Sequence, residues 1–321
     1  MSFYLPLISL HYKNIKITET ITALWSGCGE IVRCCLDGKA CVIKAISVPD
    51  HINHPRITQS EFAINRKRHS YEVEFHWYQQ YASNLPAQAR ALSCYNTLEH
   101  QQQKVLVFAD FAAYGFTNAQ ANHAHVVAII RWLGYFHAFH FQVKADGLWL
   151  QGSYWHLATR PDEYEKMADS AIKHHAYNID KTLRACQYQT LIHGDAKLAN
   201  FAVNSATMEV LGYDFQYVGA GIGVVDVMYF LGSCLNEQQL EDTADDYLAD
   251  YFQHFSNAMQ TFGNSEYTAA VINEWQKLWP LAWADFYRFL MGWSPEHVKI
   301  NSYMRKHFNT MQITDFGSKA K

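Results

Sequence analysis

The order of strand-like and helix-like segments is the feature of this sequence that most limits its fold. Near the N-terminus, three runs of β-branched and apolar residues follow one another with glycine-containing turns between them: ITETITALW (17–25), EIVRCCLDG (30–38) and KACVIKAIS (39–47). Such runs predict strands, and the Asp37-Gly38 pair between the second and third predicts a tight hairpin. A helix over about 60–82 and strands at ARALSCYN (89–96) and KVLVFADF (104–111) are predicted to follow.

The pattern becomes helical after Gly115. Apolar residues recur at helical spacing between about 120 and 141, which predicts one long helix. The later predictions are short helices within an irregular stretch at 142–190, short strands around Ile192, at 201–203 and at 210–214, and several helices over 224–321. Strands first and helices afterwards, joined near 109–116, are typical of an α+β fold with two lobes, residues 1–110 and residues 111–321.

Composition excludes several classes of protein. Hydrophobic residues make up 49% of the 321-residue chain and charged residues 17%, as in a folded globular protein. The net charge of −4 provides no basic excess for a nucleic-acid surface. No apolar run approaches the ~18 residues of a membrane span, and the N-terminus lacks the basic segment and cleavage site of a signal peptide.

Cysteine and histidine usage gives no sign of a metal site or a disulfide framework. The seven cysteines are odd in number and include no CxxC pair, so free thiols in a reducing cytoplasm are expected. The 17 histidines have no carboxylate or cysteine partner at metal-binding spacing. We therefore expect a cytoplasmic protein that binds neither nucleic acid nor membrane, and the sequence leaves its oligomeric state open.

The polar residues that suggest chemistry are concentrated in two segments, LIHGDAKLANFAV (191–203) and VLGYDFQYVGAG (210–221). Phosphoryl transfer needs a carboxylate near the attacking hydroxyl, a cation on the phosphates and oxygen ligands for Mg²⁺. Asp195 can be this carboxylate, and Lys197 can neutralise the transferred group. Asn200 and Asp214 supply the hard oxygen ligands that Mg²⁺ prefers.

These segments resemble the catalytic loop and metal-binding motif of the protein-kinase-like superfamily. The H-G-D-x-x-x-x-N pattern is similar to that of the aminoglycoside phosphotransferase and choline kinase branch. Within this branch, the sequence most resembles the ecdysteroid-kinase-like group. Three strings carry this resemblance: HGDAKLANF (193–201), DFQYVG (214–219) and VVDVMYFLG (224–232). The resemblance extends over about residues 20–295. It implies a two-lobe protein-kinase-like fold, with a small β-rich N-lobe and a larger, mainly helical C-lobe.

The resemblance also implies a function and roles for further residues. The function is Mg²⁺-dependent transfer of the ATP γ-phosphoryl group to an alcohol. Asp226 matches the family aspartate that holds the catalytic loop from below, and His193 is expected to orient that loop through a hydrogen bond. Gln216 stands where protein kinases have glycine after Asp-Phe. The sequence does not decide between ATP and GTP.

A lysine–glutamate pair is predicted in the N-lobe, where kinases of this fold use such a pair to hold the α- and β-phosphates. Lys44 interrupts the apolar run CVIKAI, where a charge is costly unless it is paired. On the following helix, Glu74 lies on the apolar stripe with Tyr71 and Tyr78, whereas Glu72 does not. The alternative is that Lys44 extends from an edge strand to solvent and that Glu74 is solvated.

Two further nucleotide contacts are implied. Gly27 and Gly29, in WSGCGE (25–30), would let the backbone of a turn approach phosphate, although a G-x-G sequence alone often marks only a turn. LVFADF (106–111) resembles the link between the lobes, so the backbone of Ala109 and Phe111 would meet the adenine edge.

The alcohol acceptor is left open by the sequence. Trp279 and Trp283 belong to an aromatic stripe at helical spacing, which usually indicates core, and Asp285 lies beside it. In this fold such helices line the acceptor pocket, so these residues would hold either a cationic amine by cation–π contact or an apolar alcohol. Two alternative functions remain open: an aminoglycoside- or choline-type kinase of the same fold, and a nucleotide-binding pseudokinase without turnover. A hydrolase is disfavoured because the chain has no G-x-S-x-G motif.

Overall fold

The structure, a computed structural model, describes residues 2–24, 27–49 and 60–317, with the backbone alone for 311–317. The strands are β1 (Ile15–Ala23), β2 (Gly29–Leu36), β3 (Lys39–Ser47), β4 (Cys94–His100), β5 (Gln103–Ala109), β6 (Thr117–Asn118), β7 (Thr190–Ile192), β8 (Phe201–Asn204), β9 (Glu209–Gly212) and β10 (Gly219–Gly221). The helices are α1 (Leu5–Ser9), α2 (Glu61–Gln80), α3 (His123–Phe139), α4 (Pro161–Lys166), α5 (Ala171–Arg184), α6 (Gly223–Cys234), α7 (Glu237–Thr261), α8 (Thr268–Trp293) and α9 (Ser302–Gly317).

The N-lobe is a five-stranded antiparallel sheet with the strand order β1-β2-β3-β5-β4. The turn between β2 and β3 consists of Asp37 and Gly38, both with positive φ (47° and 84°), as a two-residue hairpin with right-handed twist requires. β3 lies at the centre of the sheet, between β2 and β5. A side chain on β3 is therefore shielded by strands on both sides.

Opposite faces of this sheet pack against different helices because side chains alternate along a strand. The outer face packs against Tyr4 and Ile8 of the N-terminal segment and contributes Cys41, Ile43 and Ala45 from β3. The inner face, which includes Ile46, packs against α2. Lys44 and Ile46 are two positions apart on β3, so their side chains lie on the same face of the sheet. The Lys44 side chain therefore points to the inner face and meets α2.

The C-lobe is mainly helical. α3 packs against α7 and α6, and α8 packs against α5, α6 and α9. Two small antiparallel sheets, β10-β7 and β6-β8-β9, lie among these helices and border the segments 193–200 and 213–218. The two-lobe α+β fold predicted from the order of the segments is confirmed, with an antiparallel N-terminal sheet and a mainly helical C-terminal part.

One predicted strand is displaced. The run at 89–96 was expected to be a strand, but β4 begins at Cys94 and continues to His100. The preceding residues instead contact the C-lobe: the Leu92 N–H donates to the Gly212 carbonyl, and the Gly212 N–H donates to the Arg90 carbonyl. The buried side chains of this run therefore serve contact between the lobes. α1, β6 and β10 were not predicted from the sequence.

The described segments contain no helix that is both long enough and apolar enough to cross a membrane.

Candidate active site

The loop between β7 and β8 begins with a sharp turn at Gly194. This residue has φ = 76°, and a Cβ atom there would lie 2.0 Å from the Tyr217 carbonyl oxygen and 2.7 Å from the Ser153 nitrogen. Only glycine fits such a close backbone approach. The turn directs the next side chain, Asp195, into the protein, and a short 3₁₀ helix at Leu198–Asn200 closes the loop.

Asp195 is buried, and its two oxygens differ. Oδ2 accepts hydrogen bonds from Lys197 Nζ at 2.7 Å and from Asn200 Nδ2 at 3.0 Å. Oδ1 is buried and has no hydrogen-bond partner among the described residues. Burial raises the pKa of this carboxyl group, and Lys197 acts in the opposite direction to a smaller extent. The site thus contains one oriented carboxylate with a vacant accepting atom.

Asp226 holds the loop from the helix below it. Its carboxylate accepts hydrogen bonds from the backbone N–H groups of His193 (2.6 Å) and Gly194 (3.0 Å). His137 Nε2 lies 3.1 Å from Oδ2 of Asp226, and its Nδ1 lies 2.9 Å from the Tyr251 hydroxyl. Because a carboxylate only accepts, His137 donates through Nε2 and accepts from Tyr251 through Nδ1. This buried series of hydrogen bonds fixes the position of the turn before Asp195.

His193 is fully buried, and both of its ring nitrogens are used. Nε2 donates to the Tyr213 carbonyl at 3.0 Å, and Nδ1 accepts from the Asp195 N–H at 3.3 Å. Burial lowers the pKa of His193, so the neutral ring is favoured. Both ring nitrogens are therefore occupied by backbone groups of the surrounding segments, which His193 holds together.

Lys44 brings the sheet, α2 and the segment after β9 together. Its Nζ lies 2.8 Å from Oε1 and 2.7 Å from Oε2 of Glu74. Only the contact with Oε1 has the geometry of a hydrogen bond. The same Nζ lies 2.7 Å from Oδ1 of Asp214. Burial lowers the pKa of Lys44, but Asp214 and Glu74 raise it by more, so the ammonium form is favoured. The spatial pair expected from the sequence is present, and Glu72 instead lies near the exposed His69.

Asp214 adopts a left-handed backbone conformation with φ = 67°, directly after β9 and not within it as predicted. Burial raises its pKa, but Lys44 and Lys197 lower it by more, which keeps the carboxylate charged. Gln216 donates to Oδ1 of Asp214 at 2.5 Å and accepts from Lys67 of α2 at 3.0 Å. Lys67 and this bridging role of Gln216 were not found from the sequence: Lys67 belongs to no motif, and Gln216 was noted only as standing where protein kinases have glycine.

The remaining oxygen atoms of Asn200 and Asp214 are hard oxygen donors, the type that Mg²⁺ prefers. Asn200 uses Nδ2 to bind the Asp195 carbonyl and carboxylate, and its Oδ1 has no hydrogen bond within the described segments. Oδ2 of Asp214 has none either, since Lys44 and Gln216 both bind Oδ1. Mg²⁺ commonly takes only one or two protein oxygens besides phosphates and water. The lack of a three-residue His/Cys/Asp/Glu cluster in the described segments is compatible with such a site.

The predicted nucleotide-contacting backbone lies at the sheet and at the link. Gly29 has φ = 131°, and a Cβ atom there would lie 1.9 Å from the Ala45 carbonyl oxygen, so packing alone requires this glycine. Gly27 has φ = 70° and open space around it, whereas Trp25 and Ser26 lie outside the described residues. Ala109 ends β5, and the half-buried Phe111 stacks on Tyr213 at 5.9 Å between ring centroids.

The residues expected at the acceptor pocket have other partners. Trp279 and Trp283 are buried between α8 and α9, where Trp283 stacks on His307 with ring centroids 5.9 Å apart. Asp285 binds the buried Arg288 at 2.9 Å. These contacts pack and stabilise the helices, and the role of the three residues at an acceptor pocket stays a prediction.

A different set of aromatic residues includes two tyrosines that interact electrostatically with Asp195. Four rings, which we term the four-ring cluster, contact one another with centroids 5.2–6.0 Å apart: Tyr154, Tyr229, Phe286 and Phe289. The Asp195 carboxylate contributes to raising the pKa of both tyrosines, after burial, so it lies within electrostatic range of them. Of these residues, only Phe286 belongs to the aromatic stripe that contains Trp279 and Trp283.

Comparison with known proteins agrees with the geometry. Residues 151–264, which include the loop 193–200, Asp214 and Asp226, match the model of the Ecdysteroid kinase-like family. The resemblance found in the motifs is thereby confirmed. No curated protein sequence matched the chain.

Solved structures share the fold at low sequence identity. An ethanolamine kinase of Plasmodium vivax has a TM-score of 0.52 and 12% identity, over 96% of this chain and 84% of that one. A candidate aminoglycoside phosphotransferase of Ralstonia eutropha has a TM-score of 0.54 and 11% identity, over 89% of this chain and 85% of that one. The chain thus has the protein-kinase-like fold that small-molecule kinases use.

Proposed function

We propose that this chain is a Mg²⁺- and ATP-dependent kinase that phosphorylates a hydroxyl group of a small molecule. The observation that carries the proposal is the buried Asp195 carboxylate, which Lys197 and Asn200 hold through Oδ2 alone. Its Oδ1 lacks a hydrogen-bond partner among the described residues and is suited to accept the hydrogen of an alcohol.

In the proposed reaction, the acceptor hydroxyl donates a hydrogen bond to Oδ1 of Asp195 and transfers its proton to this carboxylate. Its oxygen bonds to the γ-phosphorus, the bond from the γ-phosphorus to the β,γ-bridging oxygen breaks, and ADP leaves. Lys197, 2.7 Å from Asp195, is positioned to neutralise charge on the transferred group.

The nucleotide is proposed to bind between the lobes. Lys44, oriented by Glu74, would bind the α- and β-phosphates, the turn with Gly27 and Gly29 would cover them, and the backbone at Ala109 and Phe111 would meet adenine. Asn200 and Asp214 would hold the metal through their remaining oxygens. Bound Mg²⁺ supplies neutralisation of the β- and γ-phosphate charge.

We place this reaction in the cytoplasm. All seven cysteines are free, as a reducing compartment allows.

The test is Asp195→Asn, which preserves shape but removes the proton acceptor. Phosphoryl transfer, followed with γ-³²P-ATP against a panel of alcohols, should fall by about 10²–10⁴-fold. Nucleotide affinity and the unfolding midpoint should remain close to those of the parent, because Asp195 serves the acceptor. The matched control is Asp180→Asn, a buried aspartate that binds Gln151 and Arg184. Equal transfer by the parent and Asp195→Asn would refute the assignment, and nucleotide binding without transfer to any acceptor would favour a pseudokinase.

A further inference from the structure

Lys299 is a cation of the C-lobe that the proposed reaction does not use. It lies in the segment between α8 and α9, and its side chain is half-buried. Burial lowers the pKa of its ammonium group, the Asp195 carboxylate raises it and Lys197 lowers it further. The three charged groups therefore lie within electrostatic range of one another, although Lys299 is about 100 positions from Asp195 in the sequence.

The ammonium group of Lys299 lies over the four-ring cluster. Its Nζ is 5.4 Å from the ring centroid of Tyr229 and 6.0 Å from that of Phe286. Nζ makes no hydrogen bond or ion pair with any of the described residues, in contrast to Lys197, which binds Asp195. Three donor hydrogens near the proposed site of reaction are thus left without an oxygen acceptor.

The other rings of the cluster also bear a cation. The guanidinium of Arg160 lies 5.4 Å from the ring centroid of Tyr154 and 5.1 Å from that of Phe289. Recognition of an alkylammonium ligand needs aromatic faces that are free of competing cations. Each ring of the four-ring cluster already has a protein cation over one face, which disfavours the cluster as such a cage.

We propose that Lys299 determines the charge class of the acceptor, because its Nζ donates to an oxygen of the acceptor and repels an alcohol that carries an ammonium group near its hydroxyl. The inference rests on the proposed function, since it requires the acceptor hydroxyl to reach Asp195. Lys299 would thus favour oxygen-rich neutral or acidic alcohols over amino alcohols as acceptors. The sequence alone leaves this choice of acceptor open.

Binding of three probes with one shared shape tests the proposal without turnover. The probes are 4-(hydroxymethyl)benzoate, 1,4-benzenedimethanol and 4-(hydroxymethyl)benzylamine, titrated by ligand-detected NMR into the full chain with a non-hydrolysable Mg·ATP analogue. In the parent we expect the benzylamine to bind at least about tenfold more weakly than the benzoate, a ratio equivalent to about 1.4 kcal/mol. Lys299→Met should bring this ratio close to one, whereas Lys299→Arg should retain it.

The matched control is Lys306→Met, which removes the same charge from a lysine that also lies over a tyrosine, at 5.7 Å from the Tyr303 centroid, but binds Glu241. It should keep the ratio of the parent. Equal or tighter binding of the benzylamine by the parent, an unchanged ratio in Lys299→Met, or no binding of any probe would overturn the inference. Because the readout is binding, these outcomes are separate from failure of the kinase proposal, which the transfer assay on Asp195→Asn reports.

Discussion

The ammonium group of Lys44 lies 2.7 Å from Oδ1 of Asp214, although 170 positions separate the two residues in the sequence. Lys44 belongs to the central strand of the N-lobe, and Asp214 follows β9 of the C-lobe. The contact therefore joins the lobes through one buried cation, which also binds Glu74. Removing either carboxylate leaves Lys44 with a partner, whereas removing Lys44 leaves two carboxylates close together.

Coupling between Lys44 and Glu74 is the first prediction. A double-mutant cycle with Lys44→Met and Glu74→Gln on ATP affinity should give a coupling energy of about 0.5–3 kcal/mol, the range for residues in contact. The physical reason is that Glu74 orients Nζ at 2.8 Å for the phosphates. Affinities are measured by isothermal titration calorimetry on the parent, both single variants and the double variant.

Glu72 provides the control for this cycle, since it lies on the same helix but is exposed and near His69. Glu72→Gln should show no coupling to Lys44. Additive effects of Lys44→Met and Glu74→Gln would contradict the prediction, because they would mean that Glu74 does not orient Lys44 for nucleotide.

Metal dependence at Asp214 is the second prediction. Asp214→Ala should weaken Mg²⁺-dependent binding of nucleotide more than Asn200→Ala does, because both offer an oxygen but only Asp214 carries charge. Calorimetric titration of ATP with and without Mg²⁺ separates the metal effect from loss of the Lys44 contact. If Mg²⁺ enhanced affinity equally in the parent and in Asp214→Ala, Asp214 would not be a metal ligand.

Local sequence patterns predicted those parts of the site that local geometry determines. The helical stripe placed Glu74 on the apolar face of α2, and the apolar run CVIKAI marked Lys44 as a charge that needs a partner. The loop from His193 to Asn200 follows from its motif, because Gly194 permits a turn that no other residue fits. These features depend on spacing within one element or one turn.

Features that depend on tertiary contact were not predictable in the same way. The apolar run before β4 resembles a strand, but its residues pair with β9 of the other lobe. The stripe with Trp279 and Trp283 has the same helical period whether it meets α9 or a ligand, and only packing distinguishes the two. Lys299 belongs to no motif, and its position over Tyr229 follows from how the segment after α8 returns to the site.

Loss of the Asp226 carboxylate is the third prediction. Asp226→Ala leaves the buried N–H groups of His193 and Gly194 without an acceptor, which should lower the free energy of unfolding by about 2–5 kcal/mol. Tyr251→Phe is the matched control, since it removes only a hydroxyl that binds His137, and it should cost about 0.5–1.5 kcal/mol. Urea denaturation measures both. Similar losses in the two variants would mean that Asp226 is not the main support of the loop.

Acid sensitivity from His140 is the fourth prediction. This buried ring donates through Nδ1 to the Phe136 carbonyl, and burial lowers its pKa from 6.5 to about 4. Between these values the unfolded chain binds the proton and the folded chain does not, so stability falls as pH decreases from about 6.5 to about 4, by at most about 1.4 kcal/mol per pH unit. His140→Gln removes this contribution. In urea denaturation, the difference in the free energy of unfolding between the parent and His140→Gln should therefore be smaller at pH 5.5 than at pH 8. An equal difference at both pH values would show that His140 does not titrate on unfolding.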